Sequence, residues 1–210
     1  MLYYPKMPGS EKAPLGERCI AFEKLDGTNL HFCWEREFGW HAFGTRRDRF
    51  NLTERGITEF VAAHPELAEA AAVFQATLAE GLAAVLDGYP TNEATAFCEF
   101  LGEGSFAGQH RADEPKRLVF FDLTLPGEAF VAPEDFIRDF GHLPTPRIVY
   151  RGKLTGQFTD ELRKGKFGVA EGVVCKGVSK GVPWRCKVKT DAYRERLKAS
   201  LGPHWESGWE

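Results

Sequence analysis

Ala21-Phe22-Glu23-Lys24-Leu25-Asp26-Gly27-Thr28-Asn29-Leu30 sets a lysine between two carboxylates inside an otherwise apolar run. The pattern predicts a lysine at the end of a strand, aimed into a pocket. An amine is a nucleophile only when neutral, and burial or neighbouring cations lower its pKa. Gly27 lets the backbone turn sharply and approach a phosphate closely. The competing reading is a surface strand whose charged residues face water. The rest of the chain has to decide between the two.

The chain has 210 residues, enough for one good core and at most a small appendage. It is 43% hydrophobic and 27% charged, as soluble globular proteins are. No run is long enough to span a membrane, and the stretch Met1-Leu2-Tyr3-Tyr4-Pro5-Lys6 is too short an apolar segment for a signal peptide. Five cysteines (Cys19, Cys33, Cys98, Cys175 and Cys186) lack paired metal spacing. With no secretory signal they predict reduced thiols in the cytoplasm, each a small buried hydrophobe. The net charge of -3 conceals an asymmetry. Residues 151–198 carry 13 basic and 5 acidic groups, while residues 1–150 carry 14 and 23. A basic segment of this kind is either a solvated face or a surface for polyphosphate or nucleic acid.

Residues 19–25 and 29–35 read as strands, and residues 39–47 as a third, joined by hairpins that imply antiparallel sheet. From Thr53 to Leu86 the apolar period becomes helical, broken into two helices at His64-Pro65-Glu66 and stopped by Asp87-Gly88-Tyr89-Pro90. Residues 94–100 form a strand, 103–115 a loop, and 117–123 a strongly apolar, central strand. A short helix over 133–140, a strand over 147–150, a helical turn over 159–163, strands over 172–176 and 185–189, and a final helix over 191–201 complete the chain. The expectation is a single domain over residues 1–210, α+β and largely antiparallel.

Six short segments then fall in a recognisable order. They are Lys24-Leu25-Asp26-Gly27; Thr45-Arg46-Arg47; Glu99 in Cys98-Glu99-Phe100-Leu101-Gly102; Phe120-Phe121-Asp122; Glu171-Gly172-Val173-Val174-Cys175-Lys176; and Lys187-Val188-Lys189. This series resembles the motifs of the covalent nucleotidyltransferases, which include DNA ligases, RNA ligases and capping enzymes. Within them it is most similar to the RNA ligase 2-like branch, where Thr-Asn follows the motif glycine, as Thr28-Asn29 does here. The resemblance spans about residues 19–190. It implies a two-sheet nucleotidyltransferase (ligase adenylation) domain with peripheral helices. One departure is Cys98, where that branch often has glycine; a cysteine there narrows the approach to the ribose. Another is Asp26, where some members have histidine. A third is length: the 21 residues after Lys189 leave no room for an oligonucleotide-binding fold or a helical C-terminal domain.

The resemblance implies a role for each position. Lys24 takes AMP from ATP as a phosphoramide, with Lys187, Lys189 and Mg²⁺ (or Mn²⁺) supplying the cationic field. Glu171 binds the metal or holds Lys24. Glu99 binds ribose hydroxyls and serves as a second metal ligand, and Phe121 stacks on the purine. Glu23, Leu25, Asn29, Arg46, Arg47 and Lys176 also contact the nucleotide. Strand period alone puts Lys187 and Lys189 on one side, as two lysines bracketing a phosphate require. It puts Phe120 and Phe121 on opposite faces, one of them in the core. Arg46 and Arg47 are not separated by it. The six histidines lack metal spacing and read as structural or surface residues. The function expected is an ATP-dependent RNA ligase joining 5′-phosphate and 3′-hydroxyl ends of a nick. A helper protein would supply the missing nucleic-acid grip, and a basic surface including Arg151, Lys153, Arg163, Lys164, Lys166 and Lys180 would be the chain's own footprint. The alternatives are a small DNA ligase or nucleic-acid-end adenylyltransferase, and a non-catalytic nucleotide- or RNA-binding module on the same fold.

Overall fold

Alternating and helical apolar periods resolve into strands and helices over residues 4–102 and 114–206, which the computed structural model describes. The strands are β1 (Arg18–Lys24), β2 (Thr28–Glu35), β3 (Gly39–Thr45), β4 (Phe50–Asn51), β5 (Glu93–Leu101), β6 (Arg117–Leu125), β7 (Ala129–Phe130), β8 (Ile148–Lys153), β9 (Gly172–Ser179) and β10 (Val182–Lys189). The helices are α1 (Glu54–Ala63), α2 (Ala70–Thr77), α3 (Ala79–Asp87), α4 (Pro133–Phe140), α5 (Gly156–Arg163) and α6 (Asp191–Leu201). The strands form two sheets in which every named pairing is antiparallel. The expected loop at 103–115 lies, over 103–113, outside the described residues.

The chain divides into two compact units. The described part of the first comprises residues 4–5, 27–102 and 114–145, and that of the second residues 6–26 and 146–206. In the first unit the strand order is β4-β3-β2-β5-β6-β7. Leu30, Phe32, Phe43 and Phe120 point to one face, where Phe60, Phe74, Phe136 and Phe140 from α1, α2 and α4 cover them; all are fully buried or nearly so. Phe32 stacks on Phe74 with ring centroids 3.7 Å apart, and Phe120 meets Phe136 and Phe140 at 5.1 and 5.3 Å. Each ring buries a large apolar area, so this phenylalanine layer contributes strongly to the unit's stability.

The helical run after Pro65 departs from expectation. Its period predicts one helix, but the axis bends by 50° between residues 65–77 and 79–87. Leu78, at the break, has φ -128° and is still buried. A break at a residue that stays on the buried side leaves the apolar period intact, so the pattern does not reveal it. No single helix among the described residues is long and apolar enough to cross a membrane.

In the second unit the order is β10-β9-β1-β8, so the earliest strand lies between two late ones. Ala21, Val173, Cys175, Cys186 and Val188 form a core with Phe158 and Leu162 of α5. That helix begins earlier than the turn expected at 159–163, because Thr155 caps it by accepting the Phe158 N–H at 3.1 Å. All five cysteines are buried free thiols.

Candidate active site

The second unit gathers the late lysines around Lys24. Register places Lys24 opposite Gly172, and Gly172 opposite Lys189; Phe22 lies opposite Val174, and Val174 opposite Lys187. Paired residues share a face, so Lys24, Lys187 and Lys189 lie on the side away from α5. Lys176 and Arg185, paired with each other, lie there too. The Lys176 ammonium is 5.3 Å from the centre of the Phe22 ring.

Glu171, just before β9, is the hub. Its side chain is 2% exposed, and its two oxygens accept from the Lys24 ammonium at 2.9 Å and the Lys189 ammonium at 3.1 Å. Burial lowers the Lys189 pKa, with Lys24 adding to the effect and Glu171 opposing it. The Lys187 pKa falls to about 8, through burial and the repulsion of Lys189, Lys24 and Lys6. Two ammoniums share the Glu171 carboxylate, Asp26 also attracts Lys189, and Lys187 adds a third ammonium on the same face, a positive cluster suited to anions.

A bare metal ion does not suit this cluster. Among the described residues no three His, Cys, Asp or Glu side chains converge as a metal site. Both Glu171 oxygens already serve ammoniums, and the local excess of lysine repels a free cation. The donor set fits a divalent ion that arrives on a substrate's phosphates, which bring most of its oxygen ligands.

Glu23 is not brought to these lysines. It alternates to the opposite face from Lys24, and its carboxylate pairs with Arg147 at 3.1 Å. Leu25, the residue after β1, is half-buried.

In the first unit, Glu99 and Asn29 stand directly opposite one another on β5 and β2. Glu99 Oε1 accepts the Gly27 N–H at 3.1 Å. A side chain at Gly27 would strike the Phe100 carbonyl oxygen and the Leu101 side chain. Glycine is therefore needed here for the close approach of β5, in addition to any phosphate contact. Cys98 alternates to the other face from Glu99 and is fully buried, so it does not narrow the approach on the Glu99 side. Phe120 is the core residue of its pair, packed against α4. Phe121 is half-buried at a bulge in β6 and meets Tyr4 edge-on at 5.1 Å.

Arg46 and Arg47 are both exposed on the turn after β3, so exposure does not separate them either. Asp48 braces that turn, a feature that strand and helix periods do not report. Its Oδ1 accepts from the Thr45 N–H at 3.0 Å and the Thr45 hydroxyl at 2.7 Å, and its Oδ2 meets His64 Nε2 at 2.6 Å. Burial works to raise the Asp48 pKa, but the Thr45 bonds and His64 outweigh it and hold it below the usual value. The Asp at the turn was a readable local signal, whereas His64, 16 residues on, was not. Of the proposed basic surface, Arg163 and Lys166 pair with Asp160 and Glu161, each at 3.1 Å. Arg151 and Lys153 are exposed and lie opposite Ile20 and Arg18, on the Lys24 side of the sheet.

Comparison with known proteins follows the same lines. Residues 17–199 match the sequence model of the RNA ligase family. No curated protein matches the chain in sequence. Among solved structures, an Aquifex aeolicus protein described as a candidate ATP-dependent DNA ligase superposes with TM-score 0.64 at 18% identity, covering 99% of this chain and 57% of that one. An archaeal ATP-dependent RNA ligase gives 0.66 at 18%, covering 98% and 55%. Naegleria gruberi RNA ligase gives 0.62 at 14%, covering 94% and 58%; other structures of that protein hold ATP and Mn, AMP and Mn, or PPi. The chain thus spans between half and three-fifths of the length of these proteins.

Proposed function

The chain belongs to the RNA ligase family, and from that premise we propose that it is an ATP-dependent RNA ligase working through a lysyl-AMP intermediate. One observation carries the reading: a lysine at a strand end whose ammonium shares a buried carboxylate with a second lysine, beside a third whose pKa is already depressed. A structural ion pair needs one lysine for one carboxylate. Three lysines facing the carboxylates of Glu171 and Asp26 leave this face positive, which suits a visiting polyanion.

In the proposed reaction the Lys24 amine, having lost a proton to solvent, attacks the α-phosphorus of ATP. The N–P bond forms as the bond from that phosphorus to the bridging oxygen breaks, and pyrophosphate leaves in line. Lys187 and Lys189 stabilise the charge that builds on the phosphates. A divalent cation, Mg²⁺ or Mn²⁺, carried on those phosphates would neutralise further charge. A 5′-phosphate oxygen of the nucleic acid then displaces Lys24 from the AMP phosphorus. Finally a 3′-hydroxyl attacks the activated 5′-phosphate, forming the phosphodiester and releasing AMP. Glu99, Asn29, Phe121, Arg46 and Arg47 keep the nucleotide roles implied by the resemblance. The proposed partner is a 5′-phosphorylated nick in RNA, with a helper protein adding grip.

The test is sealing of a nicked duplex with ATP and Mg²⁺ or Mn²⁺, using RNA and DNA strands in parallel. Sealed RNA from the wild-type chain, absent with Lys24→Ala, supports the proposal. Sealing confined to DNA would shift the reading to a DNA ligase. Binding of ATP and RNA with neither adenylylation nor sealing would leave a binding module.

A further inference from the structure

Tyr193 stands outside every role assigned above. It lies in the first turn of α6, is 2% exposed, and its hydroxyl donates to Asp26 Oδ1 at 3.2 Å. Its ring centre is 5.0 Å from the Lys189 ammonium, and the Arg196 guanidinium lies 5.5 Å from the same ring. The helix start is tied to the Glu171 segment. The Thr190 N–H donates to the Glu171 carbonyl at 2.8 Å, and the Thr190 hydroxyl donates to the Ala170 carbonyl at 3.2 Å while accepting the Tyr193 N–H at 3.1 Å. Arg196 also donates to the Ala170 carbonyl, at 2.8 Å. The helix is therefore anchored at the residue whose carboxylate holds both Lys24 and Lys189.

We propose that Tyr193 is a positioning residue for AMP transfer to Lys24, its hydroxyl orienting Asp26 and its ring seating the Lys189 ammonium. The inference rests on the ligase reading above. Burial and the negative charges of Glu171 and Asp26 push the Tyr193 pKa well up, so its hydroxyl remains a donor. Held by that hydroxyl, the Asp26 carboxylate has a fixed direction. Asp26 already attracts the Lys189 ammonium; without the hydroxyl its carboxylate can turn, the balance between Asp26 and Glu171 at Lys189 shifts, and Glu171 no longer holds Lys24 in one geometry. The ring acts separately. An aromatic face attracts an ammonium where burial disfavours its charge, which keeps Lys189 charged and placed for phosphate.

The two halves of the side chain predict separable effects. Tyr193→Phe keeps the ring and loses the hydroxyl, and should slow single-turnover AMP transfer about tenfold with the ATP KM unchanged, as loss of one buried hydrogen bond allows. Tyr193→Leu loses the ring as well and should also raise the ATP KM about fivefold. Adding Tyr193→Phe to Asp26→Ala should slow transfer no further than Asp26→Ala alone, because the hydroxyl acts through the Asp26 carboxylate. A helix-anchoring role alone would lower the melting temperature without this split between rate and KM. A wild-type rate for Tyr193→Phe, or multiplicative losses in the double variant, overturns the inference. Should Tyr193→Phe fail to fold, Asp26→Ala removes the acceptor of the same bond and must show the rate loss at unchanged KM; a wild-type rate there overturns it too. A wild-type chain that takes no AMP overturns both this inference and the ligase reading, whereas an active wild type matched by Tyr193→Phe overturns this one alone.

Discussion

Replacing Lys187 by methionine should make the nucleotide-free protein more stable while crippling its chemistry. Lys187 lies on the same sheet face as Lys24 and Lys189, and burial and three neighbouring ammoniums bring its pKa from 10.5 to about 8. A drop of that size corresponds to about 3 kcal/mol against the charged form. The side chain is half-buried, so solvent screening reduces the figure to ~1–2 kcal/mol. A lysine whose folded pKa lies below its unfolded one destabilises the fold while charged. The penalty is full below pH 8 and vanishes above 10.5, so stability rises with pH across that window. Methionine keeps most of the apolar stem and removes the charge. Thermal unfolding at pH 7 should therefore show Lys187→Met melting roughly 2–8 °C above wild type, with the gap closing toward pH 10.5. AMP transfer to Lys24 should fall about a hundredfold, as loss of one phosphate-stabilising group does elsewhere. A variant that melts below wild type at pH 7, or that keeps the wild-type transfer rate, would refute the claim that Lys187 is a strained cation held for a phosphate.

Other perturbations test other parts of the account. Phe120→Ala removes a fully buried ring packed on Phe136 and Phe140, and should cost about 3–5 kcal/mol in urea unfolding; Phe121→Ala, half-buried, should cost less and act instead on the ATP KM. Burial, opposed by a hydrogen bond to the Thr45 backbone carbonyl, lowers the His31 pKa to about 4. Stability should therefore be complete above pH 6.5 and fall by up to ~3 kcal/mol as pH drops to 4, a slope that His31→Phe should lack. Glutamate at both Arg151 and Lys153 should weaken RNA binding and flatten its salt dependence while leaving AMP transfer to Lys24 intact. An unchanged salt slope would send the search for the RNA footprint elsewhere.

The reach of the sequence is clearest in β1 and β10. Strand alternation was enough to put Lys187 and Lys189 on one side, and the motif order carried Lys24 to a strand end. Alternation says nothing about which strands are neighbours. That β1 lies between β8 and β9, and that Glu171 therefore meets Lys24 across 147 residues of chain, is set by the α5-covered core and by register. The same limit explains Asp48 with His64, and Tyr193 with Asp26: each pair is two ordinary residues until the fold brings them together. Glu23 and Cys98 show a subtler limit. Both sit beside motif residues in sequence, and in a strand the neighbour of a residue faces the other way. The bend at Leu78 was hidden for the opposite reason, because a backbone break need not disturb the buried pattern.

The central claim is that Lys24 carries AMP, and intact mass spectrometry after incubation with ATP and Mg²⁺ addresses it most directly. The account predicts a gain of one AMP on the wild-type chain, mapped by peptide fragmentation to Lys24, labile to excess pyrophosphate and absent from Lys24→Ala. No gain with ATP under either Mg²⁺ or Mn²⁺, or an AMP that persists in Lys24→Ala, would contradict it.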